Sequence, residues 1–320
     1  MKPFTELLAD RVERLTTNVC LGLDPRPGAS AYTHPARFGG DQEAVAQAVA
    51  EHLGALLEAS HDLIACCKPQ SAFFEALGPP GSAALAQVMA RARGLGVPIL
   101  LDAKRGDIGS TAAAYAEAYL GDGPLAADAL TLNPFLGFDT LEPFIDLAVA
   151  NGRGLFVLLR TSNPGSADLQ GLELASGQPL YRRLAERLAQ RAAALPRDRA
   201  GYSLLGAVVG ASHSRELAEL REMLPGSWFL LPGYGAQGGT AASSLPALAA
   251  DGLGAIVSAS RSLTYGPSAT AAAASSSAAS WSTTVTTTGS LDLQALAAAT
   301  RSRVETMRSE LAAARGTLGD

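Results

Sequence analysis

Three features of the 320-residue sequence predict an α/β fold, a closed (β/α)8 barrel. Eight short runs rich in Val, Ile and Leu recur along it, stretches long enough for crossover helices separate them, and charged or glycine-rich residues collect just after the runs. At about 150 residues per domain the length would fit two domains, yet barrels of about 250 residues or more are single units. A doubly wound open sheet is the alternative.

Taken in order, an amphipathic helix opens the chain, because residues 1–15 interleave charge with Leu and Val at helical spacing and lack the uncharged core of a signal peptide. The expected strands are 19–23, 63–68, 98–102, 129–132, 154–159, 204–209, 228–231 and 255–258. Between them, 43–59, 82–95, 140–149, 180–194 and 214–224 are rich in Ala, Leu, Glu and Arg and read as helices. The barrel core is thus expected over residues 1–265. A low-complexity Ala/Ser/Thr insertion at 266–290, without charge or periodicity, is expected to be disordered, and 291–320 supplies a last helix that completes the barrel.

Composition removes several classes of function. With 48% hydrophobic and 17% charged residues, a large core can form. A net charge of −5, from 25 Lys and Arg against 30 Asp and Glu, gives no general basic field for nucleic acid or anionic lipid. The longest uncharged run is Ala, Ser, Thr and Gly, too polar for a bilayer. Cys20, Cys66 and Cys67 lie in apolar runs and are odd in number, which suits buried thiols in the cytoplasm rather than a disulfide framework. His34, His52, His61 and His213 have no metal-ligand spacing, so no metal centre is expected.

In such a barrel the active site lies at the C-terminal strand ends. Asp102 and Lys104, two apart, would point to the same side if the chain stays extended, and Lys68 from the neighbouring strand end would place Asp102 between two ammonium groups, lowering its pKa. A solvated ion pair capping the strand is the alternative. Asp107 lies past the Gly106 turn, cannot easily return to that pocket, and is expected to face a partner subunit. The run Gly233-x-Gly235-x-x-Gly238 superficially matches a dinucleotide fingerprint, but strand eight ends in Ser258 and Arg261 rather than an acid. A phosphate cradle, with glycine amides and the Arg261 fork meeting the anion, fits the loops after strands seven and eight.

Together, Gly22-Leu23-Asp24, Lys68-Pro69, Asp102-Ala103-Lys104-x-x-Asp107-Ile108, Ser162-Asn163-Pro164-Gly165, Pro232-Gly233-x-Gly235-x-Gln237-Gly238-Gly239 and Arg261 resemble the orotidine 5'-phosphate decarboxylase family, most closely its longer bacterial form. The resemblance implies a TIM barrel that needs no cofactor and turns orotidine 5'-monophosphate (OMP) into UMP and carbon dioxide. By that resemblance Lys104 is the proton donor to C6, Asp102 presses on the departing carboxylate, Lys68 anchors Asp102 and the ribose, and Asp24 holds a ribose hydroxyl. Asp107 and Thr111 enter from the other subunit of a homodimer, Ser162 bonds the pyrimidine, Pro232 and Gln237 belong to the closing loop, and Arg261 holds the phosphate. Two rivals remain at this stage. A magnesium-dependent sugar-phosphate decarboxylase or aldolase of the same superfamily would carry a carboxylate where Lys68 stands, and a non-catalytic nucleotide-binding barrel would have no use for the Asp102–Lys104 row.

Overall fold

A computed structural model describes residues 2–235, 238–266 and 291–316. The strands are β1 Val19–Leu23, β2 Cys66–Pro69, β3 Leu100–Arg105, β4 Ala129–Leu132, β5 Gly154–Arg160, β6 Ser203–Val209, β7 Ser227–Pro232 and β8 Ala255–Ala259. All pair in parallel in the order β2-β1-β8-β7-β6-β5-β4-β3, and isolated bridges Cys67–Ile99 and Gln70–Asp102 bring β2 against β3. The ring is therefore nearly closed, as a barrel requires and an open doubly wound sheet does not. Every residue of β1, β2, β4 and β8 is buried, the consequence of a sheet covered on both faces.

Two buried clusters account for this covering. One joins the helix-facing strand residues to the surrounding helices, including Gln42–Ser60 and Gly78–Gly94. The other gathers Cys20, Cys66, Leu100, Phe156, Leu230 and Ile256 with Phe4, Leu8 and Val12 of the N-terminal helix Phe4–Leu15. That helix plugs the N-terminal end of the barrel. Phe4 meets Phe156 edge to face at 6.1 Å between ring centres, and buried Arg11 donates to the carbonyls of His61, Ile64, Ala65 and Gly96. Among the described residues this leaves the C-terminal mouth of the barrel open to a ligand.

β1 and β4 keep the expected bounds, whereas β2 begins three residues late because the Leu63 amide turns back to the Ser60 carbonyl at a helix end. β3 runs past the expected Asp102 to Arg105. Three further short helices, Ser71–Glu75, Ala241–Ser244 and Arg261–Thr264, sit at strand ends and are too brief for a periodic signal. The C-terminal helix Leu293–Gly316 buries Val304, Met307 and Leu311, and its Arg301 pairs with Asp62 at 2.7 Å. The expected low-complexity segment lies outside the described residues apart from Gly266.

Candidate active site

Strand order places the ends of β1, β2, β3 and β4 side by side, and polar residues of β2, β3 and β4 converge on one carboxylate. Asp102 Oδ2 accepts from Lys68 Nζ and Gln70 Nε2, each at 2.9 Å. Its Oδ1 accepts from Lys104 Nζ at 2.6 Å and Thr131 Oγ1 at 3.0 Å. The Asp102 and Lys68 side chains retain 9% and 6% of their exposure, while Lys104 retains 44%. A deeply held pair therefore supports a third charge that a ligand can still reach, which a solvated surface pair does not do. Burial alone would raise the Asp102 carboxyl, but Lys68 and then Lys104 outweigh it and hold it well below the usual carboxylate range. Burial would likewise lower Lys68, and Asp102 together with Asp24 pushes it above the usual lysine range instead.

The expected route to this geometry is corrected in one respect. Lys104 does not meet Asp102 through extended alternation: its φ of +48° is left-handed, and the register between β3 and β4 shifts between Leu101 and Arg105. A bulge turns the lysine back onto the carboxylate two residues before it.

Asp24, half-buried after β1, keeps a buried Oδ1 with no hydrogen-bond partner among the described residues. An unsatisfied buried oxygen at the mouth is what a hydroxyl-bearing ligand would complete. Tyr265 fixes this loop to the segment after β8, since its hydroxyl donates to the Asp24 carbonyl at 3.2 Å and accepts from the Arg26 amide at 2.7 Å. Arg261 opens the helix after β8, half-buried, and no side chain among the described residues engages its guanidinium. Pro232 closes β7 in register with Ser258. Ser162 follows β5 and lies against Gly210, where an added Cβ would come within 2.9 Å of the serine Cβ.

The glycine loop after β7 differs from the expected cradle. The amides of Gly235, Gly238 and Gly239 bond to carbonyls of Gly239, Gly235 and Gly233 at 2.8, 3.1 and 3.1 Å, so they hold the loop rather than face an anion. Glycine is required here for shape: Gly233 has φ +103°, and a Cβ on Gly239 would lie 2.9 Å from the Gly233 oxygen. Gln237 lies outside the described residues. Asp107 accepts from the neighbouring Ile108 amide at 2.8 Å, and among the described residues it makes no bond to Lys104 or Asp102. Thr111 is exposed on the first turn of the helix Gly109–Leu120. These two therefore stand apart from the charge row within one chain.

Gln70 and Thr131 were not anticipated as site residues. Gln70 follows Lys68 by two residues in extended chain, a spacing that places it on the same face. Thr131 offers a weaker signal, one hydroxyl between Leu130 and Leu132.

A parallel barrel whose mouth holds a buried Lys68–Asp102 pair beside the exposed Lys104 defines a barrel enzyme that handles an anion near a fixed ammonium group. The chain belongs to the orotidine 5'-phosphate decarboxylase / HUMPS family, whose sequence model matches residues 17–276. It is 47% identical over 262 residues to an orotidine 5'-phosphate decarboxylase of Deinococcus radiodurans, covering 82% of this chain and 89% of the relative. A Rhodopirellula baltica protein of the same name is 40% identical over 274 residues, covering 83% and 89%. Among solved structures, the OMP decarboxylase of Leishmania donovani matches with a TM-score of 0.67 and 36% identity over 85% of this chain and 95% of that one.

Proposed function

We propose that the chain decarboxylates OMP to UMP in pyrimidine biosynthesis, as a carbon–carbon lyase, with Lys104 donating a proton to C6. The Asp102 carboxylate held between Lys68 and Lys104 carries this reading. Loss of carbon dioxide leaves the bonding electron pair on C6 with no adjacent carbonyl to accept it. A nearby ammonium both stabilises that pair and supplies the proton that makes UMP, after which the amine regains a proton from solvent.

Asp102 would face the substrate carboxylate. At about 4 Å and an effective dielectric of about 20 this repulsion is about 4 kcal/mol, and it vanishes once neutral carbon dioxide leaves. That is small beside the roughly 8–23 kcal/mol by which enzymes lower barriers. Most of the effect therefore falls to stabilisation of the transition state by Lys104, supported by phosphate binding at a distance. Asp24 with its unpartnered oxygen suits a ribose hydroxyl, Ser162 the pyrimidine, Pro232 and Gln237 the loop beside the nucleotide, and Arg261 the phosphate. Arg261→Ala is accordingly expected to raise KM for OMP by about 10²-fold or more, as loss of a charge-assisted fork implies, with the smaller loss in kcat. Steady-state kinetics check this.

A homodimer that shares its sites completes the proposal. Ile108, Phe135 and Leu136 are 62%, 70% and 51% exposed on the loops after β3 and β4, which touch where the Asn133 amide meets the Arg105 carbonyl at 2.9 Å. An exposed apolar group of this kind beside Asp107 and Thr111 fits a second copy that delivers those two residues to the neighbouring mouth. Phe135→Asp should yield a monomer by analytical ultracentrifugation and lose activity in parallel; an active monomer would refute sharing. A cytoplasmic location accords with the three free, buried thiols. The function itself is tested by following OMP absorbance with EDTA present. Turnover should persist. Activity lost to chelator would favour the magnesium-dependent rival, and UMP binding without turnover the non-catalytic one.

A further inference from the structure

We propose that Thr131 is a positioning residue for the proton donor: its hydroxyl locks the backbone of Lys104 and the carboxylate of Asp102 into one unit. The inference rests on the decarboxylase reading of the site. Along β3 and β4 the pairs Leu101–Leu130 and Arg105–Leu132 enclose three residues on one strand and only Thr131 on the other. The Lys104 amide therefore has no carbonyl opposite it in the ladder, and it donates instead to Thr131 Oγ1 at 2.9 Å. The same hydroxyl donates its single hydrogen to Asp102 Oδ1 at 3.0 Å, the oxygen that also receives Lys104 Nζ at 2.6 Å.

A closed ring results, in which Lys104 is held at both its amide and its ammonium. Thr131 is completely buried, so water does not substitute for it. The lock has a clear purpose. Lys104 adopts φ +48°, a conformation disfavoured for any residue with a side chain and maintained only where its surroundings fix it. Without the hydroxyl, the bulge is free to relax and swing the ammonium off the line to the reacting carbon. Valine has nearly the shape of threonine, so at 131 it would fill the same space while leaving the Lys104 amide without its acceptor.

Thr131→Val keeps shape and removes the lock, while Thr131→Ser keeps the lock. For the valine variant kcat should fall about 10²-fold, the loss that an ångström-scale misplacement brings, with KM for OMP within about twofold of the parent. Serine should restore most of kcat. Hydrogen exchange at the Lys104 amide, followed by NMR, should be fast in the valine variant and slow in the serine one. Unchanged kcat in Thr131→Val, a rise in KM alone, or a serine variant no better than valine would each overturn the inference. A parent chain that turns over no OMP would overturn the decarboxylase reading and this inference with it, whereas equal activity of parent and Thr131→Val would overturn this inference alone.

Discussion

Replacing Lys104 by alanine is expected to lower kcat for OMP by at least on the order of 10⁴-fold while UMP affinity changes little. Two contributions combine at this one group. In the proposed mechanism its ammonium is the charge that a C6 carbanion meets and the proton source that ends the reaction. Neither neighbour replaces it, because Lys68 is buried behind Asp102 at 2.9 Å and Gln70 carries no charge to give. The nucleotide contacts proposed for Arg261 at the phosphate and Asp24 at the ribose would be untouched, so binding should survive. Single-turnover kinetics with a separate measurement of UMP affinity distinguish this outcome from unfolding. Because Lys104 is half-exposed and lies at the strand end, its removal should leave the melting temperature close to that of the parent.

Asp102→Ala should damage both chemistry and stability. Removing the carboxylate would delete the proposed repulsion of about 4 kcal/mol toward the substrate, equivalent to on the order of 10³-fold in rate. It also leaves the Lys68 ammonium, 4% exposed, without its partner, a change that costs about 3–5 kcal/mol when a buried pair is broken. The pH dependence follows from the directions of the shifts. In the parent, the lowered Asp102 pKa gives stability that is complete above about pH 4 and lost as pH falls through the folded value. The raised Lys68 pKa gives stability that is complete below about pH 10 and lost as pH rises through its folded value. Between those limits the pair contributes a constant amount. In the variant the support of Asp102 is gone while burial, opposed by Asp24, remains, so the Lys68 pKa falls from its parent position and the alkaline limit of its contribution moves to lower pH. Melting temperatures between about pH 4 and pH 10 should be flat, as regards this pair, for the parent and lower for Asp102→Ala.

The barrel was legible in the sequence because strands buried on both faces must be almost wholly apolar, as β1 and β4 are, and because each such run ends in residues a core would reject. The charge row was legible for the same reason. What period-two alternation did not contain was the bulge at Lys104, since a left-handed lysine depends on a hydroxyl 27 positions away rather than on its own neighbours. Gln70 was within reach of the alternation argument, but Thr131 was not, because one threonine in an apolar strand reads equally well as filler. The glycine loop misled in another way. Glycines mark where backbone must bend, yet only coordinates show that the amides of Gly235, Gly238 and Gly239 are taken up inside the bend.

The most direct test of the account is exchange of the C6 hydrogen of UMP in deuterium oxide, followed by proton NMR. Protonation of C6 by the ammonium leaves an amine, and in reverse that amine must take the C6 proton of UMP and, as the ammonium, stabilise the carbanion it leaves; exchange of its protons with deuterium oxide then returns deuterium to C6. The parent chain should therefore replace the C6 hydrogen by deuterium, and Lys104→Ala should not. A parent that consumes OMP yet leaves the C6 hydrogen of UMP in place, or an alanine variant that exchanges it equally fast, would contradict the role assigned to Lys104.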